Sequence, residues 1–301
     1  MNNKVVIIGC GNVGMSYAYA LLNQNMYVNK LVLIDVNKER IEGEVMDLNH
    51  CLPYVPSKIS ISVGDYADCS DAKIVVIAAG ANQKPGETRT DLIHKNASIF
   101  KEIVDKVMSS GFNGIFVVAT NPLDVMTYLT YKYSGLPSNQ VIGTGTSLDT
   151  ARLRLMIGEK LGINSKDIQA YVIGEHGDSE FIPWSNATIS LQNISEFISQ
   201  EEKKKIENDV RNAAYEIINR KGATYYGIGA SLVRITNAIL GNENSIIALS
   251  IYDEKNDVYV GMPAILNQNG VERRIYLDLT DEEKNKLQNS INVIKNNINS
   301  I

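Results

Sequence analysis

Short, unbroken runs of branched aliphatic residues, each followed by a stretch with helical spacing, recur through the first half of the chain. They restrict its fold more than any other feature. Val5-Val6-Ile7-Ile8, Leu31 to Ile34, Ile74 to Ile77, Ile115 to Val118 and Val141-Ile142 are apolar at consecutive positions, as strands are when a sheet is covered on both faces. Helices are predicted between them, among others over Val13 to Asn23, Lys38 to Leu48 and Asp91 to Met108. Strands alternating with helices need crossover connections, which are right-handed and produce a parallel sheet. Ile59, Ile61 and Val63 alternate with serines and predict one further strand, at an edge.

The rhythm changes near Ser147. A helix over Asp149 to Leu161, a strand over Ala170 to Ile173 and a glycine-flanked turn come first. A long charged helix over Ser199 to Lys221 and hairpin strands around Ile246 to Tyr252 and Tyr259 to Leu266 follow. Thr280 with Glu283 three residues on predicts a capping box for a last helix. The expected fold class is thus α/β: a Rossmann doubly wound parallel sheet over residues 1–143, then a second α+β domain for substrate and catalysis over 144–301. No linker-like composition separates the halves, so they are expected to pack rigidly. On the Ser199 helix, Ile206, Val210, Ala213, Ile217 and Ile218 mark a core or subunit-contact face. The run Lys203-Lys204-Lys205 reads as a solvated one.

Composition removes several function classes. The 29 basic and 34 acidic residues leave a net charge of −5, which argues against nucleic acid and anionic membrane as partners. The apolar run from Ile74 to Ala79 is far short of the roughly 20 residues that cross a bilayer. Cys10, Cys51 and Cys69 form no CxxC pair, so neither a disulfide frame nor a metal site is expected. With no secretory cleavage pattern at the start, the expected location is cytoplasmic.

Gly9-x-Gly11-x-x-Gly14 follows the first strand and opens the first helix. One glycine makes the tight turn, the second admits a pyrophosphate against the backbone, and the third allows close helix–strand packing; the helix N-terminus supplies N–H donors. Asn12 and Val13 lie within this loop, and Asp35 ends the second strand, 21 residues after Gly14. There a carboxylate binds both ribose hydroxyls and repels a 2′-phosphate, so the expected cofactor is NAD rather than NADP. Arg40 is the nearest cation for a phosphate, although it belongs to the next helix.

Of the three histidines, His50 reads as partly buried packing and His94 as a surface or loop residue. His176 differs: it sits in Gly174-Glu175-His176-Gly177-Asp178, after the predicted strand Tyr171-Val172-Ile173. An imidazole there suits proton transfer near neutral pH. Asp149 and Arg152, three apart at a helix start, share a face. An aspartate could set the imidazole tautomer and an arginine could take a carboxylate with two parallel bonds; an ordinary surface ion pair is the alternative. Arg89 follows a polar Pro-Gly stretch from Gln83, suited to carry a cation over bound substrate. Asn121-Pro122 ends the strand over Phe116 to Ala119.

Together these segments resemble the NAD-dependent L-lactate dehydrogenase branch of the lactate/malate dehydrogenase family, bacterial type. The likeness spans IIGCGNVG, AAGANQKPGETRTDL, ATNPLDV, GTSLDTARLR, GEHGDSE and KGATYYGIG. It implies that His176 is the general acid/base with Asp149 as partner, that Arg152 anchors the substrate carboxylate, and that Arg89 polarises the carbonyl. It also implies that Asn121 lies beside nicotinamide and substrate and that Thr224 lines the substrate pocket. Malate dehydrogenases carry an arginine where this chain has Gln83, so the expected reaction is reversible reduction of pyruvate to (S)-lactate, the last step of homolactic fermentation. A dehydrogenase for larger 2-oxo acids is the near alternative, malate dehydrogenase a weaker one. NAD-dependent glycosidases and a non-catalytic NAD sensor are further readings, each lacking support from the residue set. The resemblance implies a homotetramer. Many bacterial relatives bind fructose 1,6-bisphosphate through an arginine and a histidine; Arg154 matches the arginine, but Gln169 stands at the histidine position, so strong activation is not expected.

Overall fold

The computed structural model describes residues 3–81 and 89–301, apart from the side chains of 89–91. Its first half is six strands and four helices in strict alternation up to β3: β1 (Lys4–Ile8), α1 (Asn12–Gln24), β2 (Lys30–Ile34), α2 (Lys38–Cys51) and β3 (Ser60–Val63). There follow β4 (Ile74–Ile77), α3 (Arg89–Ser109), β5 (Ile115–Val118), α4 (Leu123–Ser134) and β6 (Val141–Gly143). These strands pair in the order β6-β5-β4-β1-β2-β3, all parallel. The order reverses between β1 and β4, and ligands of such sheets bind outside the carboxyl ends of the strands at that point.

Strand pleating explains the two-sided apolar runs. Val5 and Ile7 of β1 enter one buried layer with Tyr17, Leu21 and Ile41 of α1 and α2. Val6 and Ile8 enter the other with Phe100 and Val104 of α3 and Met126 of α4. The edge strand is β3, as the serine alternation predicts.

The second half contains α5 (Ser147–Leu161), β7 (Ile168–Gln169), β8 (Thr188–Ile189), β9 (Gln192–Asn193) and α6 (Gln200–Lys221). Then come α7 (Tyr226–Leu240), β10 (Ser245–Asp253), β11 (Val258–Asn267), β12 (Gly270–Arg274) and α8 (Asp281–Asn299). The hairpin β10–β11 and β12 extend the large sheet antiparallel beyond β6, giving nine strands, while β7, β8 and β9 form a small separate sheet. Helix α7 returns to lie on α1, where Gly229 packs so tightly that an added Cβ would sit 2.9 Å from Ser16. The Thr280–Glu283 capping box is formed at the start of α8.

Four expectations change. The segment Ala170 to Ile173 is not a strand of a sheet; β7 ends at Gln169, and only Ile173 pairs, in an isolated bridge to Phe181. The backbone of Ala170 and Val172 is satisfied instead by side chains of α5 and its N-cap: Thr150 Oγ1 accepts from the Val172 N–H at 3.0 Å, Thr146 Oγ1 donates to the Val172 carbonyl at 2.6 Å, and Arg154 Nε donates to the Ala170 carbonyl at 2.9 Å. A buried backbone needs partners, not a strand neighbour in particular. Second, His50 is exposed at the end of α2 rather than packed. Third, Lys203 is only 3% exposed, its ammonium donating to Ser195 Oγ at 2.6 Å beside the Trp184 ring; Lys204 and Lys205 are exposed. Its long apolar stem makes that burial possible. Finally, α4 and α7, not named among the predicted helices, bury polar residues along with apolar ones: Asp124, Thr127, Thr130 and Ser134 on α4, Thr236 and Asn237 on α7.

Candidate active site

Local chain geometry prepares one end of the sheet to receive a dinucleotide. Gly9 has φ +95°, and an added Cβ would lie 2.3 Å from the Ala79 nitrogen. At Gly14 an added Cβ would lie 2.1 Å from the Gly9 carbonyl oxygen. Both positions therefore require glycine. Gly11 has nothing within 4 Å of its would-be Cβ, so the space above the first turn of α1 is open. Gly11 caps α1 without a side-chain acceptor for the helix N–H groups, the arrangement that suits a pyrophosphate.

Asp35 is held at the end of β2 by two backbone N–H groups, from Cys10 at 2.8 Å and Asn37 at 2.9 Å. Each carboxylate oxygen keeps a further lone pair for a ribose hydroxyl. Open glycine loop, uncapped helix and oriented carboxylate fit an NAD molecule. Arg40 is exposed on α2 and ion-paired with Glu44 at 3.2 Å, an i,i+4 pair.

Deeper in the cleft is a cavity of about 150 Å³ lined from both halves of the chain. Val13 and Asn121 reach it from the first half, Arg152, His176 and Thr224 from the second, together with Ile218 of α6. Asn121 stands at the end of β5, joined to Pro122 by a cis peptide bond. Its carbonyl accepts from Asn96 Nδ2 at 3.1 Å, while Asn96 Oδ1 accepts from the Ala81 N–H at 2.8 Å. Fully buried Asn96 thus ties α3 to the ends of β4 and β5. Gln83 lies outside the described residues. So does the side chain of Arg89, whose backbone begins α3.

The imidazole of His176 comes from a closed loop. Ile173 and Phe181 exchange backbone bonds of 2.9 and 3.0 Å, and Gly174 and Gly261 exchange two more of 2.9 and 2.8 Å. His176 is presented between these anchors, and Asp149 on α5 receives its ring: Nδ1 to Oδ2 is 2.7 Å. An ionised carboxylate only accepts, so Nδ1 carries the hydrogen and Nε2 is left for the cavity. The other oxygen of Asp149 accepts from Arg152 Nη1 at 2.7 Å. The i,i+3 ion pair and the His176–Asp149 hydrogen bond therefore exist together.

Burial lowers the basicity of His176, but the Asp149 charge and hydrogen bond more than offset it and push the imidazole up to about 9. Burial likewise opposes ionisation of Asp149, and the neighbouring His176 and Arg152 reverse that, leaving its carboxyl below the usual range. The ring is 26% exposed and Asp149 3%, so a positive imidazolium is held on a buried negative carboxylate.

Two carboxyl groups with no predicted role complete the surroundings. Asp124, in the first turn of α4, is 2% exposed. Its Oδ2 accepts from the His176 backbone N–H at 2.8 Å and its Oδ1 from Ser250 Oγ at 2.5 Å. Burial raises it to about 6 against those two bonds. Glu180, 6% exposed, has an oxygen within 4.8 Å of both His176 and Asp149. Both residues lie inside motifs the sequence displays, ATNPLDV and GEHGDSE, but spacing along the chain does not reveal that they face the imidazole.

Residues 3–143 match the family model described as lactate/malate dehydrogenase, NAD binding domain, and residues 146–301 the model for the alpha/beta C-terminal domain. The chain belongs to the lactate/malate dehydrogenase family. It is 52% identical over 303 aligned positions to L-lactate dehydrogenase 2 of Bacillus anthracis, and 52% identical over 297 to L-lactate dehydrogenase of Halalkalibacterium halodurans; both alignments cover 97% of this chain and 96% of the relative. Among solved structures, a lactate dehydrogenase from a Medee basin deep-sea metagenome library superposes with TM-score 0.97 at 52% identity, covering 99% of this chain and 98% of that one. The ligand-bound minor L-lactate dehydrogenase of Enterococcus mundtii gives 0.96 at 45%, covering 100% and 98%. The family member described here is an NAD-dependent oxidoreductase. Its other predicted site, Arg154 with Gln169, lies elsewhere: Arg154 stacks 4.9 Å from the centre of the Tyr171 ring and lines a separate cavity of about 450 Å³ with Lys166 and Arg234, while Gln169 is exposed on β7.

Proposed function

We propose that the enzyme interconverts pyruvate and (S)-lactate, with residues 1–143 holding the nucleotide and 144–301 the substrate. The observation that carries this is the single small cavity on which the imidazole of His176, the guanidinium of Arg152, the amide of Asn121 and the hydroxyl of Thr224 converge. NADH, when bound, supplies the hydride that adds to the substrate carbonyl carbon. Arg152 pairs with the substrate carboxylate. His176 delivers its Nε2 proton to the carbonyl oxygen as negative charge develops there, and Asp149 stabilises the imidazolium until that moment. In lactate oxidation the neutral imidazole takes the proton back.

Arg89 is assigned the polarisation of the carbonyl within a desolvated pocket, where a cation acts with little screening. Gln83 leaves no positive charge for a second carboxylate, and burying one unpaired costs several kcal/mol, which disfavours oxaloacetate. The relatives' names support the same reading, as does the ligand-bound Enterococcus structure. We further propose a cytoplasmic homotetramer serving the terminal step of fermentative glycolysis, with weak response to fructose 1,6-bisphosphate because Gln169 brings no cation. Among the described residues no helix is long and apolar enough to cross a membrane.

The test is NADH oxidation with pyruvate, oxaloacetate and branched 2-oxo acids, with and without the bisphosphate. Pyruvate is expected to give the highest kcat/KM; a branched acid or oxaloacetate exceeding it would replace the reading. His176→Ala is expected to abolish turnover while NADH still binds.

A further inference from the structure

Glu180 is an active-site acid that the transfers described above do not use. It stands at the end of the GEHGDSE loop, and the loop's closure orients it. The Ile173–Phe181 bridge fixes the residue that follows, the Glu180 N–H donates to the Gly177 carbonyl at 3.1 Å, and Arg211 of α6 donates to the Glu180 carbonyl at 3.3 Å. This brings its side chain to the same point as His176: one nitrogen or oxygen from each of Asp149, His176 and Glu180 lies within 4.8 Å of the other two.

Asp149 and Asp124 each have two hydrogen-bond donors for their carboxylates. Glu180, almost as buried, has none for its carboxyl among the described side chains. The groups facing it are Asp149 and Arg152 from α5, His176 from its own loop and Arg211 from α6, with Asp124 of α4 behind the imidazole. A desolvated carboxyl without donors, beside an obligatory carboxylate, favours its neutral form. Burial and the Asp149 charge together raise it to about 8.

We propose that Glu180 must carry a proton for the substrate carboxylate to bind, so that at alkaline pH a keto acid enters with uptake of two protons, one at His176 and one at Glu180. The inference rests on the keto-acid reading of the cavity. Its physical basis is charge crowding: Arg152 already serves Asp149, and an ionised Glu180 would add a second negative charge to the cluster before the substrate brings a third. Neutral Glu180 leaves the guanidinium's attraction to the substrate undivided.

The experiment is calorimetric binding of oxamate, a non-reducible anion shaped like pyruvate, to the NADH-loaded enzyme. Buffers of different ionisation enthalpy count the protons taken up. At pH 9 only about one-eleventh of Glu180 is neutral if it titrates near 8, so its ionisation alone weakens oxamate about tenfold. The Glu180→Gln enzyme should therefore bind oxamate about tenfold more tightly than wild type at pH 9, the ratio growing with pH. Wild type should take up more than one proton per oxamate at pH 9, and the variant fewer than one. Fewer than one proton in wild type, or an affinity ratio that does not change with pH, overturns the proposal. Should Glu180→Gln not fold, the wild-type proton count decides alone. No oxamate binding at any pH, in enzyme that binds NADH, overturns the keto-acid reading and this inference with it.

Discussion

Replacing Asp149 with asparagine isolates the charge that holds a proton on His176. The Asp149 carboxylate lies 2.7 Å from Nδ1 and is the largest influence raising the imidazole from its ordinary 6.5 to about 9. That difference is worth about 3 kcal/mol in favour of the imidazolium. Burial acts in the opposite sense, and only the weaker pull of Glu180 and Asp124 remains against it, so with the charge removed His176 should titrate near its ordinary 6.5. Pyruvate reduction needs the protonated ring; activity is therefore present below this pKa and lost as pH rises through it. At pH 7.5 the protonated fraction should drop from nearly all to about one-tenth, a tenfold loss from protonation alone. Loss of the fixed tautomer and of the Arg152 pairing adds further decline. The assay is kcat/KM for pyruvate, with NADH saturating, from pH 5.5 to 10. The alkaline limb, set in wild type by Glu180 near 8 and His176 near 9, should move to near 6.5. A limb that stays in place, whatever the absolute rate, would refute the argument that Asp149 sets the imidazole's affinity for its proton.

Asp124→Asn keeps an acceptor for the His176 N–H but removes a buried negative charge behind the ring. It should shift the same alkaline limb down by less than Asp149→Asn does and cost about 1–3 kcal/mol of stability; a purely structural role would leave the pH profile alone. Stability itself should fall between pH 6.5 and 9. The stabilisation from His176 is complete below 6.5 and lost as pH rises through about 9, while Glu180, raised to about 8, holds a proton in the folded state that the unfolded chain has already released. A melting temperature that climbs over this interval would contradict both assignments. Gly14→Ala places a methyl group 2.1 Å from the Gly9 carbonyl oxygen, so NADH affinity measured by fluorescence should fall at least tenfold as the loop moves. Gln83→Arg should raise kcat/KM for oxaloacetate relative to pyruvate; an unchanged preference sinks the proposed role of that position.

Much of the molecule is legible along the chain because the information is local. Continuous apolar runs predict five of the six parallel strands, since a strand covered on both faces has no polar side to show, and alternation with serines predicts the sixth, β3, at the edge. Glycines at 9 and 14 announce a turn too tight for a Cβ, and Asp35 follows at the distance of one βαβ unit. His176, Asp149, Arg152, Asn121 and Thr224 are nominated from motifs, and the fold brings all of them but Asp149 onto one cavity wall, with Asp149 directly behind the imidazole.

What the chain does not show locally is partnership across it. Whether Ala170 to Ile173 becomes a strand depends on α5 offering Thr146, Thr150 and Arg154 to its backbone. Lys203 is buried because Ser195 and Trp184 receive it, not because of anything in its run of lysines. Asp124 and Glu180 come to face His176 only when α4 and a closed loop deliver them to it from 52 residues before and four after. Residue type and short-range spacing decide which chemistry is possible, because turns, caps and strand runs are set by neighbouring atoms. Protonation depends on charge and solvent within a few ångströms in any direction, and that neighbourhood exists only once the chain has folded.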